Sequence, residues 1–353
     1  MPEIDLATFL TVVYCVVDDL YKAQFGPLKP ARPGRKVEMS DSEVVTLALL
    51  GQWGLFLHSE RGFVEFVRRK WRSFFPRVLS QSAFNRRARD LWGVICALGP
   101  EVSRQMELLL PESTPVAFDV LDSVPVPLMR RCRGDKHRLF GEEAQVGHGG
   151  SDDEWYYGVQ LLLAVHQGGS ISGFVFGPAN TEERWLADAL LRWRISPQAP
   201  PPTAQELEGV LGKAHRKGGK RLGPTGPILS ASGAGQVAEV PYLADLGFAG
   251  EKWTVHWKED YQAQMLTKKD YAQVQDPQER RERASWLSRR RQVVERVNAT
   301  LERVFGLKFP GARTLWGLLM RLGAKIAAFN MALYINHLFG RPPFRIFNPF
   351  LAN

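Results

Sequence analysis

Three carboxylates of this 353-residue chain stand where they could do chemistry together: Asp122, Asp245 and Glu295. Asp122 closes the apolar run that starts at Pro115, Asp245 closes Val240 to Ala244 just before Leu246 and Gly247, and Glu295 lies in a helical stretch among Arg289, Arg290, Arg291 and Arg296. Separations of 123 and 50 residues suit two strand ends and a neighbouring helix that meet at one edge of an open sheet. Clustered carboxylates repel, and they stay ionised together only when a cation compensates. An all-oxygen cluster selects a hard divalent ion, Mg2+ or Mn2+. Two such ions can activate an attacking oxygen and stabilise a leaving one at a phosphodiester, with no covalent intermediate. Two alternatives stay open at the level of the residues. An Asp at a strand end also serves as a turn or cap residue. Asp119, three residues before Asp122 and on the other face of a regular strand, competes for the first position.

The elements that must position these groups are legible from periodicity. Residues 1–113 read as helical. Ser40 or Asp41 can cap a helix through Val44, Val45, Leu47, Leu49 and Leu50, with Glu43 in its first turn. Past the break at Phe75-Pro76, a cap at Ser80 or Ser82 precedes Phe84, Ala88, Leu91 and Ile95 at helical spacing. The opposite face carries Asn85, Arg86 and Arg89. An apolar stripe docked on its own domain beneath a polar, basic face is what a DNA-reading helix needs. From Thr114 the apolar runs become strand-like: Pro115 to Asp122, Tyr157 to His166, and Ser170 to Phe176, the last two joined by a tight turn at Gln167-Gly168-Gly169. A helix near Thr181 carrying Trp185, Leu186, Ala189 and Leu190 follows, then a stiff Pro-rich connector at 197–203. The stretch 197–237 reads as an insertion, with a short helix near Glu206 to Leu211 and a Gly/Lys/Arg-rich loop from Lys213 to Arg221. Ser285 to Val304 and Arg313 to Leu338 read as the last helices. The pattern predicts an α/β fold: a helical region over 1–113, a mixed sheet flanked by helices over 114–312, and a C-terminal helix and tail over 313–353.

Charge narrows the partner. Residues 253–353 hold 17 Lys and Arg against 8 Asp and Glu, which accounts for the whole formal net charge of +9. Between Arg61 and Arg89, nine basic residues are opposed by Glu65 alone. Such clusters favour a polyanion, through counterion release that makes binding tight and salt-sensitive. Arg130 and Arg131, with Arg133, Lys136 and Arg138, form a further basic connector where a substrate backbone could pass.

Five phrases in order, Phe118-Asp-Val-Leu-Asp-Ser123, Tyr157-Gly-Val-Gln-Leu161 followed by His166, Gly177-Pro-Ala-Asn-Thr-Glu-Glu-Arg184, Leu243-Ala-Asp-Leu-Gly-Phe248 and Arg289-Arg-Arg-Gln-Val-Val-Glu-Arg-Val297, resemble the successive motifs of bacterial insertion-sequence transposases of the DDE class. The resemblance covers about residues 114 to 335. It implies an RNase H-like catalytic core over 114–312, a helical region that binds DNA and dimerises, and Asp122, Asp245 and Glu295 as metal-holding acids for two Mg2+ or Mn2+ ions. It also implies Arg291 beside the scissile strand, double-stranded DNA as substrate (terminal inverted repeats and target), a homodimer, and a bacterial cytoplasm with the nucleoid as workplace. The chain departs from the pattern at Leu246 and Glu302, where many relatives carry Lys, and at Ser288, where Tyr is common. Those DNA contacts would pass to Arg296, Arg303 or Lys308. Two other readings accompany the transposase: an RNase H-like nuclease that cuts without joining, and a non-catalytic DNA-binding protein derived from a transposase.

The remaining residues give less. His137, His148 and His166 lack zinc-ligand spacing, and Gly147 to Gly150 lacks the Lys-Ser/Thr of a phosphate loop. Cys15, Cys96 and Cys132 suggest neither a disulfide framework nor a zinc knuckle. Trp253 and Trp257, four apart, read as core. The apolar stretches Thr8 to Val17 and Ile326 to Phe339 are too short or too interrupted for a bilayer, so no membrane and a cytoplasmic location are expected.

Overall fold

A computed structural model describes residues 4–25, 38–56, 59–109, 118–134, 140–149, 154–200, 216–217, 220–221, 229–230, 241–272 and 274–351. The first helices are α1 (Leu6–Gln24), α2 (Asp41–Leu50), α3 (Glu60–Lys70), α4 (Gln81–Asp90) and α5 (Trp92–Leu108). Then come β1 (Asp119–Arg130), the short α6 (Arg131–Gly134), β2 (Gln145–Gly149), β3 (Glu154–His166), β4 (Ile171–Pro178) and α7 (Glu183–Ile195). Short strands β5 (Arg216–Lys217), β6 (Lys220–Arg221), β7 (Leu229–Ser230), β8 (Tyr242–Leu243) and β9 (Met265–Leu266) follow, with α8 (Glu251–Tyr261) between the last two, and α9 (Pro277–Arg303) and α10 (Leu315–Leu338) end the chain. These elements form two compact units, Met1–Leu108 with Thr300–Asn353, and Leu109–Ala299. Residues 313–353, expected as a separate helix and tail, and residues 300–312, expected to belong with the sheet, thus cluster with the N-terminal helices. Most of the expected insertion at 197–237, including the helix near Glu206, lies outside the described residues, as does His137.

In the helical unit, α2 starts at a capping box. Ser40 Oγ accepts from the Glu43 amide at 3.1 Å and Glu43 Oε2 accepts from the Ser40 amide at 2.6 Å. Of the two candidate caps, Ser40 does the capping; Asp41 instead accepts from the Tyr21 hydroxyl at 2.7 Å and pairs with Arg87. Helix α10 passes close to α5 because small residues line the contact. A Cβ on Gly323 would lie 2.5 Å from Cys96 Sγ, and Asn330 Nδ2 donates to Gly99 O at 2.7 Å. Length and composition would let α10 cross a membrane, but 89% of its apolar window is buried within the protein. Lys325, also buried on α10, donates to Phe305 O at 2.6 Å, and burial drives its amine down to about 7.

The second unit is built on a mixed open sheet in the order β7-β4-β3-β1-β8-β9, with β2 beside the first half of β3. Strands β1, β3 and β4 are antiparallel neighbours, whereas β1–β8 and β8–β9 are parallel. The expected hairpin is present, with His166 and Ser170 bonded across the turn at 2.8 Å. Strand β1 does not end at Asp122; it continues to Arg130 through Pro125 and Pro127. Proline is tolerated there because β8 pairs only with Asp119 and Val120, so among the described residues the rest of β1 has one edge without a ladder partner. Strand β2 is absent from the apolar pattern, and Gly147 permits it: any side chain there would run into Ala179. One face of the sheet carries the core formed by Leu121, Leu162 and Val175 with Trp185 and Leu190 of α7 and Trp253 and Trp257 of α8. The other face receives α9, where Phe118 meets Trp286 edge-on at 6.1 Å.

Candidate active site

Parallel pairing puts two acids level with each other. Val120 of β1 is opposite Leu243 of β8, and two residues further along each chain come Asp122 and Asp245. Strand β8 has ended by then, so Asp245 turns the chain: its backbone is extended and its Oδ1 accepts from the Gly247 amide at 2.7 Å, capping the short turn Leu246–Phe248. Arg291 of α9 reaches both carboxylates, with Nη2 3.6 Å from Asp122 Oδ1 and 3.9 Å from Asp245 Oδ2. Further along the same helix, Asn298 donates from Nδ2 to Asp122 Oδ2 at 3.0 Å. Helical geometry explains the pairing. Leu287, Arg291, Val294 and Asn298 follow one stripe of α9; the two apolar members are buried, so the two polar members are carried onto the sheet with them.

A third carboxylate joins from the opposite face. Glu183, in the first turn of α7, accepts a hydrogen bond from the Ser123 hydroxyl, and Ser123 in turn accepts from Gln160 Nε2 at 2.8 Å. Its other oxygen sits so close to Gly247 that any side chain there would collide with it. Burial pushes the Asp122 carboxyl up to about 7; Arg291 and the Asn298 amide pull it down, and the Asp245 and Glu183 carboxylates push it higher. Burial also raises Glu183, with Asp245 adding to the shift and Ser123 and Arg291 opposing it. Two carboxylates therefore share one guanidinium at distances too long for good hydrogen bonds, with Glu183 in the same electrostatic neighbourhood. Two polar atoms here, Arg291 Nε and Asn298 Oδ1, are buried with no hydrogen-bond partner. The donor set is all oxygen, short of positive charge, and holds an orphaned carbonyl oxygen beside Asp122. That chemistry fits a hard divalent cation. Among the described residues, however, no three His, Cys, Asp or Glu side chains converge as a metal site.

The geometry separates the two candidates for the first acid. Asp119 is buried and bonded to Arg194 Nη1 at 2.8 Å and to the Ser172 hydroxyl at 2.7 Å, while Arg194 also donates to the Tyr242 hydroxyl at 2.8 Å. Its charge is compensated inside the α7 face of the sheet, and Asp122 alone points to the other side. Glu295 is exposed on α9, between Arg291 and Asn298 in sequence. Among the expected DNA contacts, Arg86, Arg130, Arg131, Arg296 and Arg303 are exposed. Arg131 lies over the Trp155 ring at 5.0 Å. Lys308 pairs with Glu302 at 3.2 Å. Asn85 is turned inward and donates to Glu60 Oε2 at 2.9 Å, and Arg89 Nε is buried without a partner. The polar face of α4 is thus partly consumed by contacts within its own unit. Spacing alone does not mark Glu183, Ser123, Gln160 or Asn298; for Glu183 the signal is its place in the Gly177 to Arg184 phrase. His166 is buried opposite Asp119 rather than at the acids, and Trp253 and Trp257 are core. Comparison of the chain with protein-family models, curated proteins and solved structures gives no match, so the functional reading rests on its own residues.

Proposed function

We propose that the chain is a DNA transposase of the DDE class: a metal-dependent polynucleotidyl transferase that hydrolyses DNA at element ends and transfers the freed 3′ hydroxyl to target DNA. The observation that carries this reading is the level placement of Asp122 and Asp245 under the shared Arg291 guanidinium. The sheet order supports an RNase H-like core, with three antiparallel strands followed by two parallel ones and the acids just beyond the parallel pair. Asp122, Asp245 and Glu295 would hold two Mg2+ or Mn2+ ions, which when bound activate the attacking oxygen and stabilise the leaving one. The residues of the chain supply the rest. Asn298 holds the Asp122 carboxylate in place, and the Gly247 amide holds Asp245. Arg291, drawn off the acids once their charge is met, is free to grip the scissile phosphate, where a guanidinium is a bidentate donor.

The test uses purified protein, Mg2+ or Mn2+, and duplexes made from the DNA that flanks its own gene. We expect nicks that leave 3′ hydroxyls, and joining of pre-cleaved ends to a target plasmid. Asp122→Asn and Asp245→Asn should each lower both steps by about 10³-fold, equivalent to ~4 kcal/mol of transition-state stabilisation. Unchanged cleavage in both variants at equal folded content would overturn the assignment. Cleavage without joining would replace the transposase with a simple nuclease.

A further inference from the structure

Helix α3 and the loop after it enclose a cleft of about 770 Å3 in the helical unit, lined by Arg68, Arg72, Arg77, Phe75 and Val78, with Glu38 on one wall. We propose that this cleft holds the sugar-phosphate backbone of duplex DNA and does so without reading its sequence. The inference rests on DNA being the partner, as proposed above, and names the surface that grips it.

The positive charge is concentrated and unspent. Arg68, Arg69 and Lys70 fill the last turn of α3 and are all exposed, as are Arg72 and Arg77 beyond it. Cations in a last helical turn also complement the helix dipole. That cannot explain Arg72 and Arg77, which lie outside the helix. Among the described residues, Arg69, Lys70, Arg72 and Arg77 make no ion pair, whereas Arg61 at the far end of α3 is paired with Glu65 at 3.2 Å. Arg68 Nη2 donates to Val78 O at 3.2 Å and Leu79 O at 2.8 Å. Those carbonyls are neutral, so Arg68 keeps its charge while tying the loop back to the helix.

Buried aromatic rings anchor the loop. Trp71 and Phe75 are buried at either end of the turn, and Trp71 stacks on Phe350 with ring centres 5.4 Å apart and planes 9° apart. Anchoring the backbone that carries the arginines reduces the entropy lost on binding. The cleft's volume exceeds what one phosphate ion needs, and three arginines, Arg68, Arg72 and Arg77, line it, which suits a run of phosphates. Sequence reading has to come from elsewhere. In α4, Asn85 is held by Glu60, and Arg87 is tied to Asp41 and to Met39 O at 2.7 Å, so Arg86 is left facing outward.

The experiment is fluorescence anisotropy with full-length protein and duplexes of about three helical turns, one from the gene's flank and one scrambled, across a salt series, with no divalent ion. We expect Arg72→Glu/Arg77→Glu to weaken binding to both duplexes at least ~10-fold and to reduce the slope of log K against log salt by about 2, near 0.9 for each phosphate that is no longer neutralised. Arg72→Lys/Arg77→Lys should retain most of the affinity. Melting curves will show whether the variants remain folded; both side chains are exposed. If the glutamate variant binds with wild-type affinity and slope, or polyglutamate competes as well as DNA, the cleft is not the DNA grip. A wild-type protein that cuts DNA while the glutamate variant binds normally overturns this inference alone. A wild-type protein that neither binds nor cuts any duplex overturns the transposase reading, and this inference with it.

Discussion

Asp119 and Asp122 lie three residues apart on one strand, and the difference between them is entirely one of surroundings. Asp119 is buried and satisfied by Arg194 and Ser172, whereas Asp122 lies in the field of two other carboxylates and one guanidinium. Breaking a buried ion pair by removing one partner leaves an uncompensated charge and costs about 3–5 kcal/mol. We therefore expect Asp119→Asn to lower the melting temperature sharply while the folded fraction keeps its activity, and Asp122→Asn to do the opposite. If Asp119→Asn is stable and inactive, the assignment of the two is reversed. Glu183 can be tested without turnover. Glu183→Gln keeps a partner for Ser123 and removes one charge from the repelling group. We expect the metal-free protein to melt higher, and the rise in melting temperature on adding Mn2+ to shrink. An undiminished rise would exclude Glu183 from the cation's surroundings.

Helices α7 and α8 are joined by a polar clamp buried at one end. His256 Nε2 lies 2.7 Å from Asp188 Oδ1 and its Nδ1 lies 2.5 Å from Asp260 Oδ2, while Trp257 Nε1 and the Tyr261 hydroxyl also donate to Asp188 at 3.2 and 3.3 Å. Burial opposes charge on the imidazole, but the two carboxylates outweigh it and hold its pKa above the ordinary 6.5. A histidine raised on folding contributes stability that is fully present below pH 6.5 and lost as pH climbs through the higher folded value. Urea midpoints for the wild type should therefore fall between that pH and mildly alkaline conditions, beyond any fall seen in His256→Gln, which cannot titrate. Parallel curves for the two proteins would remove His256 as the cause. Neither this clamp nor the polar members of the α9 stripe are legible as contacts in the sequence. Periodicity marks Val294, Val297 and Leu301 as one face, yet a helical wheel does not say which sheet edge lies beneath Arg291.

The chain returns at its end to where it began. Residues 300–353 complete the N-terminal helical unit: Trp53 Nε1 donates to Phe347 O at 2.9 Å, and α10 packs its small residues on α5. We expect truncation after Ala312 to expose α1 to α5, so that their amides lose protection in hydrogen exchange while those of β1, β3 and β4 keep it. Full protection of α1 to α5 in the truncated chain would show that α10 is dispensable. Much of this architecture follows from local chemistry. The capping box at Ser40, the Gly-Gly hairpin, the apolar runs beside Asp122 and Asp245, and the arginine-rich helix around Glu295 are properties of adjacent residues, legible in the sequence without the fold, as is the excess of basic charge. What the sequence left open was decided by contacts between distant segments. The pairing of Val120 with Leu243 made Asp122 rather than Asp119 the partner of Asp245, and the approach of α7 added Glu183. The docking of α4 on Glu60 withdrew Asn85 from solvent. Strand register and helix rotation are set by the packing of the whole core, and no window of neighbouring residues contains that information.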